Sequence, residues 1–245
     1  MKKLIVIPTY NEAENISELI EEIHAIVKDA HVLIVDDHSP DGTGELVENL
    51  AKDKDYLFVR HRAGKLGLGT AYIEGFSWGL DKGYDVFLSM DADFSHQPRY
   101  LPVFFENMKN NDVVIGSRYV KGGGIKNWGF DRLLLSWGGN LYAQIILLTK
   151  LRDLTGGFNC YSRQFLERIR LDKVVSKGYC FQIEMKFRHL LLGCQIKEVP
   201  IVFLERKRGV TKMNKNIFWE AVFNVIKLSL SRWKIKKQMR SKGSF

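Results

Sequence analysis

The first 120 residues alternate between short, continuous apolar runs and longer segments whose apolar residues recur at helical spacing. Between the first two runs, residues 12–28 carry this helical spacing and predict an amphipathic helix. The apolar runs predict five strands, at Lys3–Pro8, His31–Asp37, Leu57–Arg62, Asp85–Met90 and Asp112–Arg118. Such an alternation indicates an α/β fold, with a mostly parallel, Rossmann-like sheet covered by helices on both faces.

The pattern changes after Arg118. A glycine-rich connector, KGGGIKNWGFDR, leads into a long predicted helix from about Arg132. A further strand is predicted over Gln195–Phe203, and an amphipathic helix with a basic tail begins at about Lys215. We therefore predict one α/β domain over residues 1–214. Residues 215–245 are predicted to form an amphipathic helix and a basic tail that lie on a membrane surface. The alternative is a helix packed on the domain, followed by a disordered tail.

The formal net charge of +9 is concentrated near the carboxyl-terminal end. Residues 205–245 hold twelve Lys and Arg against two Asp and Glu, whereas the other 204 residues hold 25 against 26. A basic segment of this kind favours an anionic partner such as a membrane, a nucleic acid or a phosphate-rich substrate.

Neither a signal peptide nor a membrane span is expected. The apolar run of MKKLIVIPTYNE is too short for a signal peptide, and the most apolar long window, Leu133–Leu151, contains Gly, Asn, Gln and Lys. Three cysteines without a CxxC spacing are typical of a reducing compartment. We therefore expect a cytoplasmic protein, peripheral on the cytoplasmic face of the membrane.

Polar and charged residues follow the ends of the predicted strands. Because ligands of open α/β sheets bind beyond the carboxyl ends of the strands, we expect these residues to share one rim. They are Pro8–Glu12, Asp36, Asp37, Arg62, Asp91–Asp93 and Arg118.

Asp91 and Asp93 come directly after a buried strand. Alternate residues there can point the same way, so both carboxylates can reach one point. Together with substrate phosphate oxygens they suit Mg²⁺ or Mn²⁺, which keep open positions for water and phosphate. The alternative is a solvated turn with two surface acids; the preceding strand, which fixes the backbone, favours the metal.

Other rim residues have weaker signals. Asp37 can accept a hydrogen bond from a base or from a ribose hydroxyl. The alternative for the Asp36–Asp37 pair is that one of the two acids caps the SPDGT turn. Three arginines lie at the ends or starts of predicted elements: Arg118, Arg132 and Arg206. An arginine in such a position can bind phosphate through two hydrogen bonds, and the alternative is a solvated surface group. The glycine-rich stretch from Gly64 fits neither common phosphate-loop motif.

Eight motifs follow one another along the chain: PTYNE, VDDHSPDGT, DADFSHQP, GSRYVKGGG, LTGGF, GYCFQIEM, EVPIVF and RKRGVTK. This order resembles that of family 2 glycosyltransferases of the GT-A fold. More narrowly, it is similar to the dolichyl-phosphate or polyprenyl-phosphate mannosyltransferases, over about residues 3–230. Ser95 and Gly156 stand where some relatives have Gln and Ser.

The resemblance implies GDP-mannose as donor, a polyprenyl or dolichyl monophosphate as acceptor, and Mg²⁺ or Mn²⁺ as cofactor. Contacts to guanine and ribose would come from Pro8, Tyr10, Glu12, Val35 and Asp37. Metal and diphosphate would be held by Asp91, Ala92 and Asp93, with Ser95 as a further metal ligand. Without nucleotide and metal, Asp91 and Asp93 should be partly exposed and near Arg118. Donor phosphates or sugar would contact Arg118, Arg206 and Lys212, and the acceptor phosphate would contact Arg132. Catalysis would rest on Asp93, Arg118 and Arg132.

We therefore predict an enzyme that transfers mannose to the lipid phosphate by metal-assisted displacement with inversion. A phosphate monoester has its second pKa at about 6, so it attacks without a general base. The alternative is a family 2 transferase with another donor, such as UDP-glucose. A nucleic-acid-binding protein would be a different class, but the chain has no RNP, zinc-finger or helix-turn-helix motif, so we expect no nucleic-acid partner. The sequence does not indicate a partner subunit.

Overall fold

The computed structural model describes residues 1–176, 178, 180–205 and 215–240. Its strands are β1 (Lys3–Thr9), β2 (Ala30–Asp36), β3 (Leu57–His61), β4 (Val86–Ser89), β5 (Val113–Ser117), β6 (Gly124–Ile125), β7 (Asn159–Ser162), β8 (Ile196–Pro200) and β9 (Val202–Phe203). Its α-helices are α1 (Ala13–Ile26), α2 (Thr43–Ala51), α3 (Leu68–Asp81), α4 (Leu101–Asn107), α5 (Phe130–Leu147), α6 (Arg163–Ile169), α7 (Cys180–Leu192), α8 (Lys215–Leu230) and α9 (Arg232–Arg240).

Seven strands form the central sheet, in the order β3-β2-β1-β4-β7-β5-β8. Strand β1 pairs in parallel with β2 and β4, and β5 pairs in parallel with β8. Only β7 runs the other way, between β4 and β5. The mostly parallel sheet predicted from the sequence is therefore confirmed, and the carboxyl ends of six strands meet at one edge.

Both faces of the sheet are buried. Leu4 and Val6 of β1 belong to one hydrophobic cluster, whereas Ile5 and Ile7 belong to a second cluster on the opposite face. Successive strand residues point to opposite faces, so a strand covered on both sides needs a continuous apolar run. This is why KLIVIP predicted β1 so clearly.

Two features differ from the predicted strands. The segment NCYS forms β7, which was not predicted, because it is not part of an apolar run. Its place in the sheet depends on pairing with β4 and β5. The single strand expected over Gln195–Phe203 is two strands, β8 and β9, that belong to different sheets. Strand β9 pairs with β6 of the glycine-rich connector and brings Phe203 to the edge where the site lies.

Helices α5 and α8 pack against each other beside this edge. Oη of Tyr142 donates to O of Val222 at 2.9 Å, and Oγ of Ser229 donates to O of Ile146 at 3.0 Å. Within the part of the chain that the structure describes, none of the helices combines the length and the apolar character that crossing a bilayer requires. The domain boundary at residues 214 and 215 stays a prediction.

Candidate active site

A cavity of about 200 Å³ lies at the carboxyl edge of the sheet, between the strand ends and helices α5, α7 and α8. Four of the predicted site residues line it: Asp91, Asp93, Arg118 and Arg132. Apolar lining residues come from α5, α7 and α8, among them Leu135, Tyr142, Ile183, Val222 and Val225. A larger and more open depression of about 660 Å³ near Lys3 and Phe105 holds none of the predicted site residues.

Asp91 and Asp93 lie just past the end of β4 and are held by their neighbours. Oη of Tyr72 donates to Oδ1 of Asp91 at 3.3 Å, and the main-chain N–H of Ser95 donates to Oδ1 of Asp93 at 3.0 Å. The side chain of Asp91 is 35% exposed, as expected, whereas Asp93 is only 5% exposed. The expectation that both acids are partly exposed is therefore wrong for Asp93.

His96 and Tyr72 are neutral partners of Asp91. The main-chain N–H of Asp91 donates to Nδ1 of His96 at 3.0 Å. Burial lowers the pKa of His96, although Asp91 and Asp93 oppose it. Burial, followed by the charge of Asp91, raises the pKa of Tyr72 far above its usual range, so its hydroxyl keeps its proton. Tyr72 was not identified from the sequence.

The oxygens here suit a hard divalent cation. Ser95 is buried, and its Oγ has no hydrogen-bond partner among the described residues. Those residues contain no group of three His, Cys, Asp or Glu able to hold a metal by themselves. Two carboxylates and a hydroxyl form an incomplete ligand set, which suits Mg²⁺ or Mn²⁺ because these ions also bind water and substrate phosphate. The residues therefore fit the predicted metal.

Arg118 follows β5, and its guanidinium is held by Asp153, which the sequence analysis did not single out. Nε of Arg118 donates to Oδ2 of Asp153 at 2.7 Å, and Nη2 donates to Oδ1 at 2.7 Å. Nη2 also donates to Oγ1 of Thr155 at 2.7 Å. This two-point pairing fixes the plane of the guanidinium at the cavity. In the sequence, the position of Asp153 directly before the LTGGF motif is the only signal that could have identified it.

A second buried cation, Lys186 of α7, lies close to this pair. Nζ of Lys186 donates to O of Gly156 at 2.7 Å, and burial lowers the pKa of Lys186 to about 8. Burial would raise the pKa of Asp153, but the charge and hydrogen bonds of Arg118, with a contribution from Lys186, lower it. Glu198 adds a further negative charge here, because it accepts from the main-chain N–H of Asp153 at 3.0 Å and opposes the lowering of the pKa of Lys186.

Arg132 lies near the start of α5. Its guanidinium stacks 3.9 Å from the ring centre of Trp128, and Nη1 donates to Oε1 of Glu205 at 3.4 Å. Its side chain is partly exposed and lines the cavity, so the structure brings it together with Arg118 as predicted. Arg206 and Lys212 lie outside the described residues.

The paired acids after β2 divide their roles. Asp36 accepts from N–H of Ser39 at 2.9 Å, so it organises the SPDGT turn. Asp37 is buried and forms an ion pair with Nη1 of Arg62, while Nη2 of Arg62 donates to Oγ1 of Thr70 at 2.7 Å. Arg62 thus ties Asp37 to the first turn of α3, and the main-chain N–H of Gly67, in the loop before α3, donates to Oδ2 of Asp37 at 3.4 Å. The turn-capping alternative belongs to Asp36.

The remaining predicted nucleoside contacts lie at the ends of β1 and β2. Nζ of Lys65 is 4.0 Å from the ring centre of Tyr10, and Oε2 of Glu12 accepts from Nδ2 of Asn15 at 3.0 Å. Pro8 pairs with Val35 in the sheet register. The side chain of Val35 is fully buried in the core, so a contact to nucleoside would fall to its backbone. Ala92 is also buried.

A parallel sheet with carboxylates and arginines around a cavity at its carboxyl edge is typical of α/β enzymes that bind nucleotides. The family model of Glycosyl transferase family 2 matches residues 4–170, and the chain belongs to that family. It is therefore a glycosyltransferase, and the predicted family and GT-A fold are confirmed.

Two relatives are similar over nearly the whole chain. The undecaprenyl-phosphate mannosyltransferase of Micrococcus luteus is 47% identical over 234 residues, which cover 95% of this chain and 96% of the relative. The polyprenol monophosphomannose synthase of Mycolicibacterium smegmatis is 44% identical over 245 residues, covering 99% and 91%. These similarities confirm the narrower resemblance to polyprenyl-phosphate mannosyltransferases.

The fold is also shared with solved structures. A mannosyltransferase from Pyrobaculum calidifontis, solved in complex with GDP-Man and Mn²⁺, aligns with a TM-score of 0.58 at 15% identity. The alignment covers 100% of this chain and 76% of that chain. At this identity the likeness shows the fold alone.

Proposed function

We propose that the enzyme transfers a mannosyl group from GDP-mannose to a polyprenyl monophosphate, with inversion at the anomeric carbon. The observation that carries this proposal is the two-sided cavity. Its sheet side presents Asp91, Asp93 and Arg118, whereas α5 and α8 present apolar side chains. One side suits a nucleotide diphosphate, and the other suits a lipid. The relatives from Micrococcus luteus and Mycolicibacterium smegmatis bear names that match this chemistry.

Asp91 and Asp93, with Ser95 beside them, would hold a divalent metal at the donor diphosphate. The Pyrobaculum calidifontis enzyme of the same fold is solved with GDP-Man and Mn²⁺, which supports this donor and this type of cofactor. When bound, such an ion acts as a Lewis acid and stabilises the leaving diphosphate. Tyr72 and the N–H of Ser95 keep the two carboxylates in place for this role.

The acceptor phosphate would lie between the arginines. Arg118 is held by Asp153 and Arg132 by Trp128, so both guanidinium groups are oriented before substrate arrives. Their charge offsets the repulsion between the two phosphate groups. A phosphate monoester is already anionic at neutral pH, and its oxygen attacks the anomeric carbon without first losing a proton. His96 is buried and neutral, and the mechanism assigns it no proton transfer.

A membrane surface is proposed as the partner of α5 and α8. Large apolar side chains on α5 and just after it are exposed at helical spacing: Phe130, Leu134, Trp137, Leu141, Ile145 and Leu148. On the adjacent α8, Phe223, Ile226 and Leu230 are exposed as well. The next helix, α9, carries five basic residues in RWKIKKQMR. Apolar and basic groups together bind anionic bilayers, each basic group contributing about 1 kcal/mol. We place this surface on the cytoplasmic face.

The test is a donor comparison with the full chain. Vesicles containing undecaprenyl phosphate would be incubated with radiolabelled GDP-mannose or UDP-glucose and Mn²⁺ or Mg²⁺. We expect labelled lipid from GDP-mannose alone, lost when EDTA removes the metal. Transfer only from UDP-glucose would contradict the proposed donor.

The same assay tests the metal site. Asp93→Ala should lower turnover by about 10²-fold or more, because a preorganised charge stabilising the leaving group is lost. Asp29→Ala is the matched control, since Asp29 is an exposed acid paired with Lys3 at the opposite end of β1. Turnover of Asp93→Ala that persists with full metal dependence would contradict the assignment.

A further inference from the structure

Beside Gly157 lies a small space for which the mechanism above has no role. A Cβ placed on Gly157 would lie 3.4 Å from Cε1 of His96, 3.6 Å from Nε2 of Gln182 and 3.7 Å from Oδ1 of Asp91. All four residues line the cavity. We call the space bounded by Asp91, His96, Gln182 and the open face of Gly157 the Gly157 notch. These distances are ordinary van der Waals contacts, so one methyl-sized group fits there.

Gln182 directs an unpaired donor toward the Gly157 notch. Gln182 is 2% exposed, and its Nε2 has no hydrogen-bond partner in the described part of the chain. Nδ2 of Asn159 donates both to O of Gly156 and to Oε1 of Gln182, each at 3.0 Å. Because the Gly156 carbonyl can only accept, the amide group of Asn159 is fixed, and so is that of Gln182. Nε2 must therefore point away from this network.

A buried N–H without a partner costs free energy, and such groups in folded proteins are normally satisfied by protein, water or ligand. Across the notch, Oδ1 of Asp91 is an acceptor. A hydroxyl group can accept from Nε2 and donate to Oδ1 at the same time. The backbone beneath is held, because Oγ of Ser89 donates to O of Gly157 at 2.6 Å.

We propose that the Gly157 notch binds one hydroxyl group of the donor sugar, which accepts from Nε2 of Gln182 and donates to Oδ1 of Asp91. This inference rests on the proposed function, which places the donor diphosphate, and with it the sugar, beside Asp91. It makes Gln182 a specificity-determining residue, because a sugar without that hydroxyl leaves the buried amide unpaired. It also explains why position 157 has no side chain.

Two variants test the inference. Gly157→Ala fills the Gly157 notch with a methyl group, and Gln182→Met removes the N–H that donates the hydrogen bond. We expect kcat/KM for GDP-mannose to fall about tenfold to a hundredfold in each, the loss expected when a hydrogen bond to a buried group is removed. Affinity for GDP alone should change less than about twofold, because GDP carries no sugar. Gly124→Ala is the matched control, since a Cβ there meets nothing within 4 Å. It should keep the kinetics of the parent enzyme.

Deoxy analogues of GDP-mannose identify the hydroxyl. One analogue should be a poor substrate for the parent enzyme yet lose no further activity with Gln182→Met, since both changes remove the same hydrogen bond. The inference would be overturned if, for every analogue, Gln182→Met lowered activity by the same factor as it does with GDP-mannose. So would unchanged kcat/KM in Gly157→Ala with an unchanged melting temperature. The parent enzyme is assayed first: absence of transfer from GDP-mannose refutes the proposed function, whereas normal transfer with unaffected variants refutes only the Gly157 notch.

Discussion

Charged side chains are buried at the carboxyl edge of the sheet, whereas large apolar side chains are exposed on the outer face of α5. Folded proteins usually show the opposite arrangement in both places. At the sheet edge, Asp153 and Lys186 are fully buried and Arg118 nearly so. On α5, a few residues away in sequence from this site, Phe130 is 77% exposed and Ile145 is 62% exposed. Burying charge and exposing large apolar groups both cost free energy in water.

The difference supports the proposal that the two regions serve different ligands. Arg118 and Asp153 form a buried ion pair, and Lys186 donates to the carbonyl of Gly156, so these buried charges are held in fixed orientations. The apolar side chains on the outer face of α5 are exposed in the described part of the chain, and α9 carries five basic residues. A lipid phosphate has both chemistries in one molecule. Three predictions test this contrast, ordered by their expected effect on the free energy of unfolding.

Removing the buried anion should have the largest effect. Asp153→Ala leaves Arg118 buried without its ion-pair partner, and we expect the free energy of unfolding to fall by about 3–5 kcal/mol. Urea denaturation followed by circular dichroism measures it. Asp172→Ala is the matched control, because Asp172 pairs with Arg170 at the surface and is half exposed; its loss should stay below about 1 kcal/mol. Equal losses in the two variants would contradict the contrast.

Lys186 predicts a smaller, pH-dependent effect. Burial lowers its pKa from 10.5 to about 8, so the folded state releases this proton before the unfolded state does. Between these two pH values the unfolded state binds more protons, and stability rises with pH. The contribution is about 3 kcal/mol by pH 10.5. The free energy of unfolding of the parent and of Lys186→Met would be measured from pH 7 to 10.5. Relative to the variant, the parent should gain about 3 kcal/mol over this range. If the two curves stay parallel, the prediction is wrong.

The sequence predicted the sheet and the carboxylate pair because both are local features. A continuous apolar run identifies a buried strand, and Asp91 and Asp93 follow that strand directly. Asp153 could not be predicted in the same way, because it meets Arg118 across 35 residues and only after β7 enters the sheet between β4 and β5. The role of Gln182 depends likewise on the packing of α7 against the segment from Gly156 to Asn159. Contacts between distant segments leave no periodic pattern.

The exposed face of α5 should matter least for folding and most for vesicle binding. In the triple variant Phe130→Ser, Leu134→Ser and Ile145→Ser, each exposed change should alter stability by no more than about 0.5 kcal/mol. Binding to anionic vesicles should weaken about tenfold or more, because each side chain loses apolar area that the bilayer would bury. Flotation with phosphatidylglycerol vesicles measures it. Val103→Ser on α4 is the control, as an exposed apolar residue on another helix. Unchanged flotation of the triple variant would show that α5 does not contact the membrane, and the exposed apolar residues of α5 would then require a different partner.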